Sequence, residues 1–148
     1  MLQLKNGRFF IGDFSFALPY GAYLEGGPKD CGDYLQVADE ARQISLSLYP
    51  ECLNVEDWEE KSEELLLFGE SCEVVRLRIN GLDGVQYQFS DRVSSYCEYY
   101  FTLPRPQGEY TVFTVKLVIR RDPARLRELS RHPFLQAVLQ SMRFCEGE

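Results

Sequence analysis

The segment Cys72–Arg121, CEVVRLRINGLDGVQYQFSDRVSSYCEYYFTLPRPQGEYTVFTVKLVIRR, reads as four consecutive β-strands. Val75, Leu77 and Ile79 alternate with Val74, Arg76, Arg78 and Asn80. After Gly81-Leu82-Asp83-Gly84, read as the turn, Val85, Tyr87 and Phe89 alternate with Gln86, Gln88 and Ser90. Cys97, Tyr99, Phe101 and Leu103 then alternate with Tyr96, Glu98, Tyr100 and Thr102, and Phe113, Val115, Leu117 and Ile119 with Val112, Thr114, Lys116 and Val118. Successive side chains leave a strand on opposite faces, so each run has one apolar side. Short, turn-rich links favour antiparallel neighbours. The expected object is a sheet with one apolar wall and one mixed face, which an antiparallel sheet tolerates because one side can stay hydrated.

Working outward, Phe9–Leu18 alternates as one or two strands around Gly12-Asp13 and stops at Pro19. The glycine-rich stretch from Gly21 to Asp33 reads as a loop, Tyr34–Ala38 as extended, and Gln43–Tyr49 as a strand stopped by Pro50. Asn54–Phe68 reads as a helix capped by Asn54, with Val55, Trp58, Ser62, Leu65 and Leu66 as its inward stripe and Gly69 at its end. Asp122-Pro123 opens a second helical region, which restarts at Pro133 with Leu135, Val138, Leu139 and Met142 facing inward; Phe144 closes a short extended piece. Strands, helix, strands, helix without βαβ alternation is an α+β plan: one domain over 1–148, an antiparallel sheet of about six strands packed by two main helices. The expected core includes Phe16, Leu46, Trp58, Leu65, Leu77, Phe89, Phe101, Val115, Leu117, Val138 and Leu139.

Composition narrows the function classes. At 148 residues, 45% hydrophobic and 14% aromatic, the chain has enough apolar material for a core. A net charge of −7 disfavours nucleic acid and an anionic membrane surface, both of which call for cationic faces. No apolar run approaches the roughly 20 residues that cross a bilayer, and the N-terminal residues have no signal-peptide pattern. Cys31, Cys52, Cys72, Cys97 and Cys145 are odd in number and lack a C-x-x-C, the pattern of reduced thiols in a cytoplasmic protein.

Three pieces of the sequence together resemble the PsbP-like fold group, which also holds the Ran-binding Mog proteins and the Eag-type chaperones of bacterial secreted effectors. They are FSFALPYGA (Phe14–Ala22), RINGLDGVQYQF (Arg78–Phe89) and LQAVLQSMRF (Leu135–Phe144). The resemblance implies an antiparallel sheet packed by helices and an adaptor rather than an enzyme. Its motifs are turns and core positions, so no functional residue is carried over.

The chemistry-bearing residues are sparse. His132, the only histidine, reads as an exposed or capping residue rather than half of a Cys-His pair. One histidine and scattered cysteines supply no metal-ligand spacing, and no cofactor motif occurs. Glu56, Asp57, Glu59, Glu60, Glu63 and Glu64 form a solvated acidic helix face, and Arg120, Arg121, Arg125, Arg127 and Arg131 a local basic cluster that is either solvated or a docking patch for an acidic partner. The mixed sheet face is the leading candidate site. Arg76, Arg78, Gln88, Tyr96, Tyr100 and Lys116 are expected on it, with Gln86, Glu98, Thr102 and Thr114, because tyrosine and arginine bury area while keeping a polar tip. It is either an interface, an ordinary hydrated sheet surface, or covered by a helix. The expected function is a non-enzymatic adaptor or chaperone-like domain binding a protein or peptide segment. The alternatives are a ligand-binding protein or enzyme with a pocket between sheet and helices, and a subunit that self-associates as a homodimer.

Overall fold

Asn80 and Gly81 both have positive φ, 52° and 82°, the signature of a two-residue type I′ hairpin turn. Ile79 therefore pairs with Leu82, Leu77 with Gly84 and Arg76 with Val85. In the computed structural model, residues 2–28, 33–67, 73–120 and 129–144 are described. Their order is β1 (Gln3–Lys5), β2 (Arg8–Ile11), β3 (Phe14–Phe16), α1 (Tyr20–Gly26), β4 (Leu35–Asp39), β5 (Ile44–Asn54), α2 (Val55–Leu66), β6 (Glu73–Ile79), β7 (Leu82–Ser90), β8 (Ser94–Arg105), β9 (Glu109–Arg120), α3 (Pro133–Ser141) and β10 (Arg143–Phe144). The architecture is α+β: a six-stranded antiparallel sheet, β4-β5-β9-β8-β7-β6, and a four-stranded one, β1-β2-β3-β10.

The core lies between one face of the large sheet and the small sheet with α3. Leu46, Leu48, Cys97, Phe101, Phe113, Val115 and Leu117 are fully buried there, with Phe9, Phe14, Phe16, Leu135 and Val138 opposite. Phe14 stacks on Phe113 at 4.6 Å between ring centres. Pro106-Gln107-Gly108 connects β8 to β9, with Gly108 at φ 73°; this three-residue link lets both strands run 12 residues, beyond their expected ends.

The turn changes one expectation. Alternation alone places Val85, Tyr87 and Phe89 on the apolar wall; the register pairs them with Tyr100, Glu98 and Tyr96, on the opposite face. Gln86 and Gln88 occupy the core side, and Gln86 Nε2 is satisfied there by the Tyr99 hydroxyl at 2.6 Å. Phe89 is buried, but with Tyr87, Tyr100 and Val112 in a second cluster on that other face, where Trp58 is partly buried. Leu77 is only partly buried.

Two further corrections concern proline and glycine. β5 does not stop at Pro50 but continues to Asn54. The β4 pairing begins at Leu35 opposite Leu48, so from Pro50 onward β5 has no paired strand on that side among the described residues, and a missing N–H is tolerated there. The glycine-rich loop holds a short helix, α1, whose Ala22 N–H donates to Pro19 O and whose Ala22 side chain is buried. α1 covers β4 so closely that a Cβ on Gly26 would lie 2.3 Å from the Ala38 nitrogen and 2.8 Å from Val37 Cα.

Helix caps follow the sequence. Asn54 Oδ1 accepts the Asp57 N–H at 2.7 Å, and Pro133 opens α3 behind His132. His132 does cap, with Nδ1 accepting the Phe134 N–H at 3.1 Å, but it is buried rather than exposed. Its Nε2 lies 2.9 Å from Asp39 Oδ2, which also receives Arg42 Nη1 at 2.7 Å. The ring thus ties α3 to β4 as the neutral Nε2–H tautomer. The Leu65 side chain, Gly69 and the Asp122-Pro123 helix start lie outside the described residues.

Burial is the largest influence on His132 and lowers its pKa against the opposing pull of Asp39. The unfolded chain, with a value of about 6.5, therefore takes up the proton first. This stabilisation is complete above about pH 6.5 and is lost as pH falls toward the folded-state pKa, with a slope of at most about 1.4 kcal/mol per pH unit. The imidazole NMR resonance of this single histidine should titrate with a midpoint below about 6.5; a midpoint at or above that value contradicts the neutral cap. Gly26→Ala should cost about 1–3 kcal/mol of stability, measured by urea unfolding, because both nearest neighbours are backbone atoms.

Candidate functional site

The register assembles the second face of the large sheet in rows. One runs Val74, Tyr87, Glu98, Lys116, Ser47, Gln36; the next runs Arg76, Val85, Tyr100, Thr114, Tyr49. α2, entered directly from β5, folds back over this face. Its Trp58 ring lies 5.8 Å from Tyr100, and its Lys61 reaches Glu51 at 3.1 Å while sitting 5.3 Å above the Tyr100 ring. The face is therefore partly covered.

A charged and aromatic cluster occupies its centre. Tyr100 is 2% exposed, is held edge-on by Tyr87, and donates its hydroxyl to Glu98 Oε1 at 3.2 Å. Lys116 Nζ approaches the same Oε1 at 3.6 Å and lies 5.4 Å from the Tyr96 ring centre. Glu98 Oε2 is buried without a hydrogen-bond partner among the described residues. Burial pushes the Glu98 pKa up, against the pull of Lys116 and the Tyr100 hydrogen bond. Burial, then the charge of Glu98, raises that of Tyr100, while Tyr49 is pushed up to about 12 by burial and by Glu51 and Glu98.

Two open concavities flank the cluster. One, of 480 Å³, lies between α2 and β6–β8 and is walled by Trp58, Ser62, Val74, Arg76, Val85, Tyr87, Tyr100 and Thr102. The other, of 510 Å³, lies over β4, β5, β9 and β8 and is lined chiefly by hydroxyls, from Tyr34, Ser45, Ser47, Tyr49, Ser94 and Tyr96, with Gln36 and Lys116.

The six expected site residues do not form one patch. Arg76 and Tyr100 meet in the first concavity and Tyr96 and Lys116 in the second. Tyr96 is half-buried, stacked on Phe89 at 4.8 Å, with its hydroxyl on Asp91 at 3.1 Å. Arg78 shares their face but stands exposed beside Asp83, at 3.9 Å. Gln88 is on the opposite face, paired with Cys97, because the Asn80-Gly81 turn reverses the expected parity of β7. Tyr100 is a buried cluster residue rather than an exposed anchor, because α2 lies over it. Trp58, Val74, Val85 and Tyr87 were not expected at the site. The Asn-Gly dipeptide was the available signal for the last two; nothing in local sequence tells where α2 lies.

The other candidates settle quietly. Burial pushes the Cys97 thiol up to about 11, away from reactivity. Cys31, Cys72, Cys145 and the basic run from Arg121 to Arg127 lie outside the described residues, as does the Arg120 side chain; Arg131 is exposed. The acidic residues of α2 are exposed. Among the described residues no group of three or more His, Cys, Asp and Glu could hold a metal, and no helix is long and apolar enough to cross a membrane.

The sequence matches no protein-family model and no curated protein. In structure the chain is similar to a protein of Bacteroides thetaiotaomicron VPI-5482 with a crystal structure at 1.50 Å resolution, at a TM-score of 0.52 and 13% identity over 97% of this chain. The chain spans 51% of that protein's length. The likeness is one of fold: a two-sheet α+β domain, here carrying a grooved second sheet face.

Burial separates two of the expected anchors. Tyr100→Ala should cost about 3–5 kcal/mol through loss of the Trp58 and Tyr87 contacts, whereas Arg78→Ala should change stability by less than about 0.5 kcal/mol. Thermal and urea melts of both variants check this; equal melting would contradict the placement of α2.

Proposed function

We propose that the protein is a non-enzymatic binding module that takes a segment of another protein into the concavity between α2 and β6–β8. The observation carrying this reading is the composition of that wall. Trp58, Tyr87 and Tyr100 offer aromatic area, Ser62 and Thr102 offer hydroxyls, and Arg76 stands at the margin, the mix that concentrates interface energy. Glu98, buried with one oxygen unpartnered among the described residues, lines neither concavity, which supports a role in organising the cluster over one in meeting a substrate. The resemblance to the PsbP-like group, with its adaptors, supports this reading, and an odd number of cysteines without a C-x-x-C fits a cytoplasmic setting for it.

Affinity capture from the source cell, with captured proteins identified by mass spectrometry, tests it. A partner held by the parent protein should be held at least tenfold less by Val85→Asp and by Arg76→Glu, while both variants melt within a few degrees of the parent. Undiminished capture by both folded variants would move the function off this concavity.

A further inference from the structure

The two edges of the large sheet differ. β4 is covered by α1, at backbone contact beside Gly26. β6 is the opposite edge and, among the described residues, no strand pairs with its outer side. It runs seven residues without proline, and edges of that kind are templates for a further strand unless covered or blunted. The type I′ turn also sets which backbone groups face out. In a two-residue hairpin the pair beside the turn exchanges both hydrogen bonds, so Ile79, Leu77, Val75 and Glu73 bond to β7. Val74, Arg76 and Arg78 then direct their N–H and C=O groups outward.

Side chains sort along the same alternation. Val75, 49% exposed, Leu77 and Ile79 carry the apolar row of the core face out to this edge. Val74, Arg76 and Arg78 carry the grooved face, and Val74 and Arg76 are also part of the concavity wall. Arg76 has no ion pair among the described residues, and Arg78 has only the distant, exposed Asp83. A second copy of the chain fits poorly: full antiparallel overlap of two β6 strands would set Arg76 against its own equivalent, and like charges directly opposite are destabilising.

We propose that the partner segment binds by strand addition to β6, as an extended stretch alternating acidic and apolar residues. This deepens the proposed function and rests on it. The acidic side chains face Arg76 and Arg78, the apolar ones extend the Val75, Leu77 and Ile79 row, and main-chain bonds to Val74, Arg76 and Arg78 supply register.

The test uses a fluorescent seven-residue peptide alternating glutamate and valine, a lysine-valine counterpart, and the glutamate-valine peptide N-methylated on the amides along one edge. The acidic peptide should bind and should slow amide hydrogen exchange at Val74, Arg76 and Arg78, not at Val75 or Leu77. The lysine peptide should bind at least tenfold more weakly, and Arg76→Glu/Arg78→Glu should reverse that order. N-methylation should abolish binding. Failure of the acidic peptide to bind overturns the proposal and leaves the arginines as edge protection. Equal binding of the N-methylated peptide, or unchanged exchange at the three outward amides, also overturns strand addition. Because captured partners are scored separately on Val85→Asp, these failures leave the concavity reading standing, and failure of that reading shows as normal capture by Val85→Asp.

Discussion

The parity of β7 is the constraint on which the second sheet face depends. The type I′ turn at Asn80-Gly81 requires positive φ at both positions, which asparagine and glycine tolerate better than other residues. Starting β7 at Leu82 rather than beyond Gly84 sends Val85, Tyr87 and Phe89 away from the main core. The sheet thereby acquires two apolar clusters instead of one, and α2 has an aromatic surface to rest on. Gly84 completes the arrangement: a Cβ there would lie 2.7 Å from the Phe101 ring, so the strand beside the bulky core aromatic must be bare at that point.

The main core pays little heed to this choice because its polar members are individually satisfied. Gln86 is turned inward with Tyr99 as partner. Ser141, in the last turn of α3, accepts the Ala17 N–H at 2.7 Å and donates back to Ala137 O at 2.6 Å, joining helix to small sheet. Asn80 itself donates to Met142 O at 2.8 Å, so the hairpin tip that sets parity is also fastened to the end of α3. Buried polar groups with good partners add specificity of arrangement at small net energetic gain.

The grooved face follows a different logic. Glu98 is desolvated beside a lysine that remains partly hydrated, and one of its oxygens has no partner among the described residues. Removing a charge from water is costly unless it is fully paired, so this centre is less well compensated than the core. The contrast between a β4 edge covered by α1 and a β6 edge with no paired strand among the described residues points to the side of the sheet where Arg76 and Arg78 stand.

Period-two alternation determined that the chain would be an antiparallel α+β domain, which residues would form β8 and β9, and that Phe101, Val115 and Leu117 would be buried; local capping determined where α2 and α3 begin. These are properties of neighbours in sequence, so sequence carries them. Parity across the Asn80-Gly81 turn is also written locally, in the Asn-Gly dipeptide; a turn at Gly81–Gly84 would put Gln88 on the second face, whereas the two-residue turn puts it opposite Cys97 on the core side. What only the tertiary structure decided was the burial of Tyr100 under Trp58, the parting of Arg76 and Tyr100 from Tyr96 and Lys116 into two concavities, and the union of His132 with Asp39 across 93 positions. Each depends on where a helix or strand lands after the chain has returned on itself. An alternating sequence states that two faces exist; it does not state what will cover them.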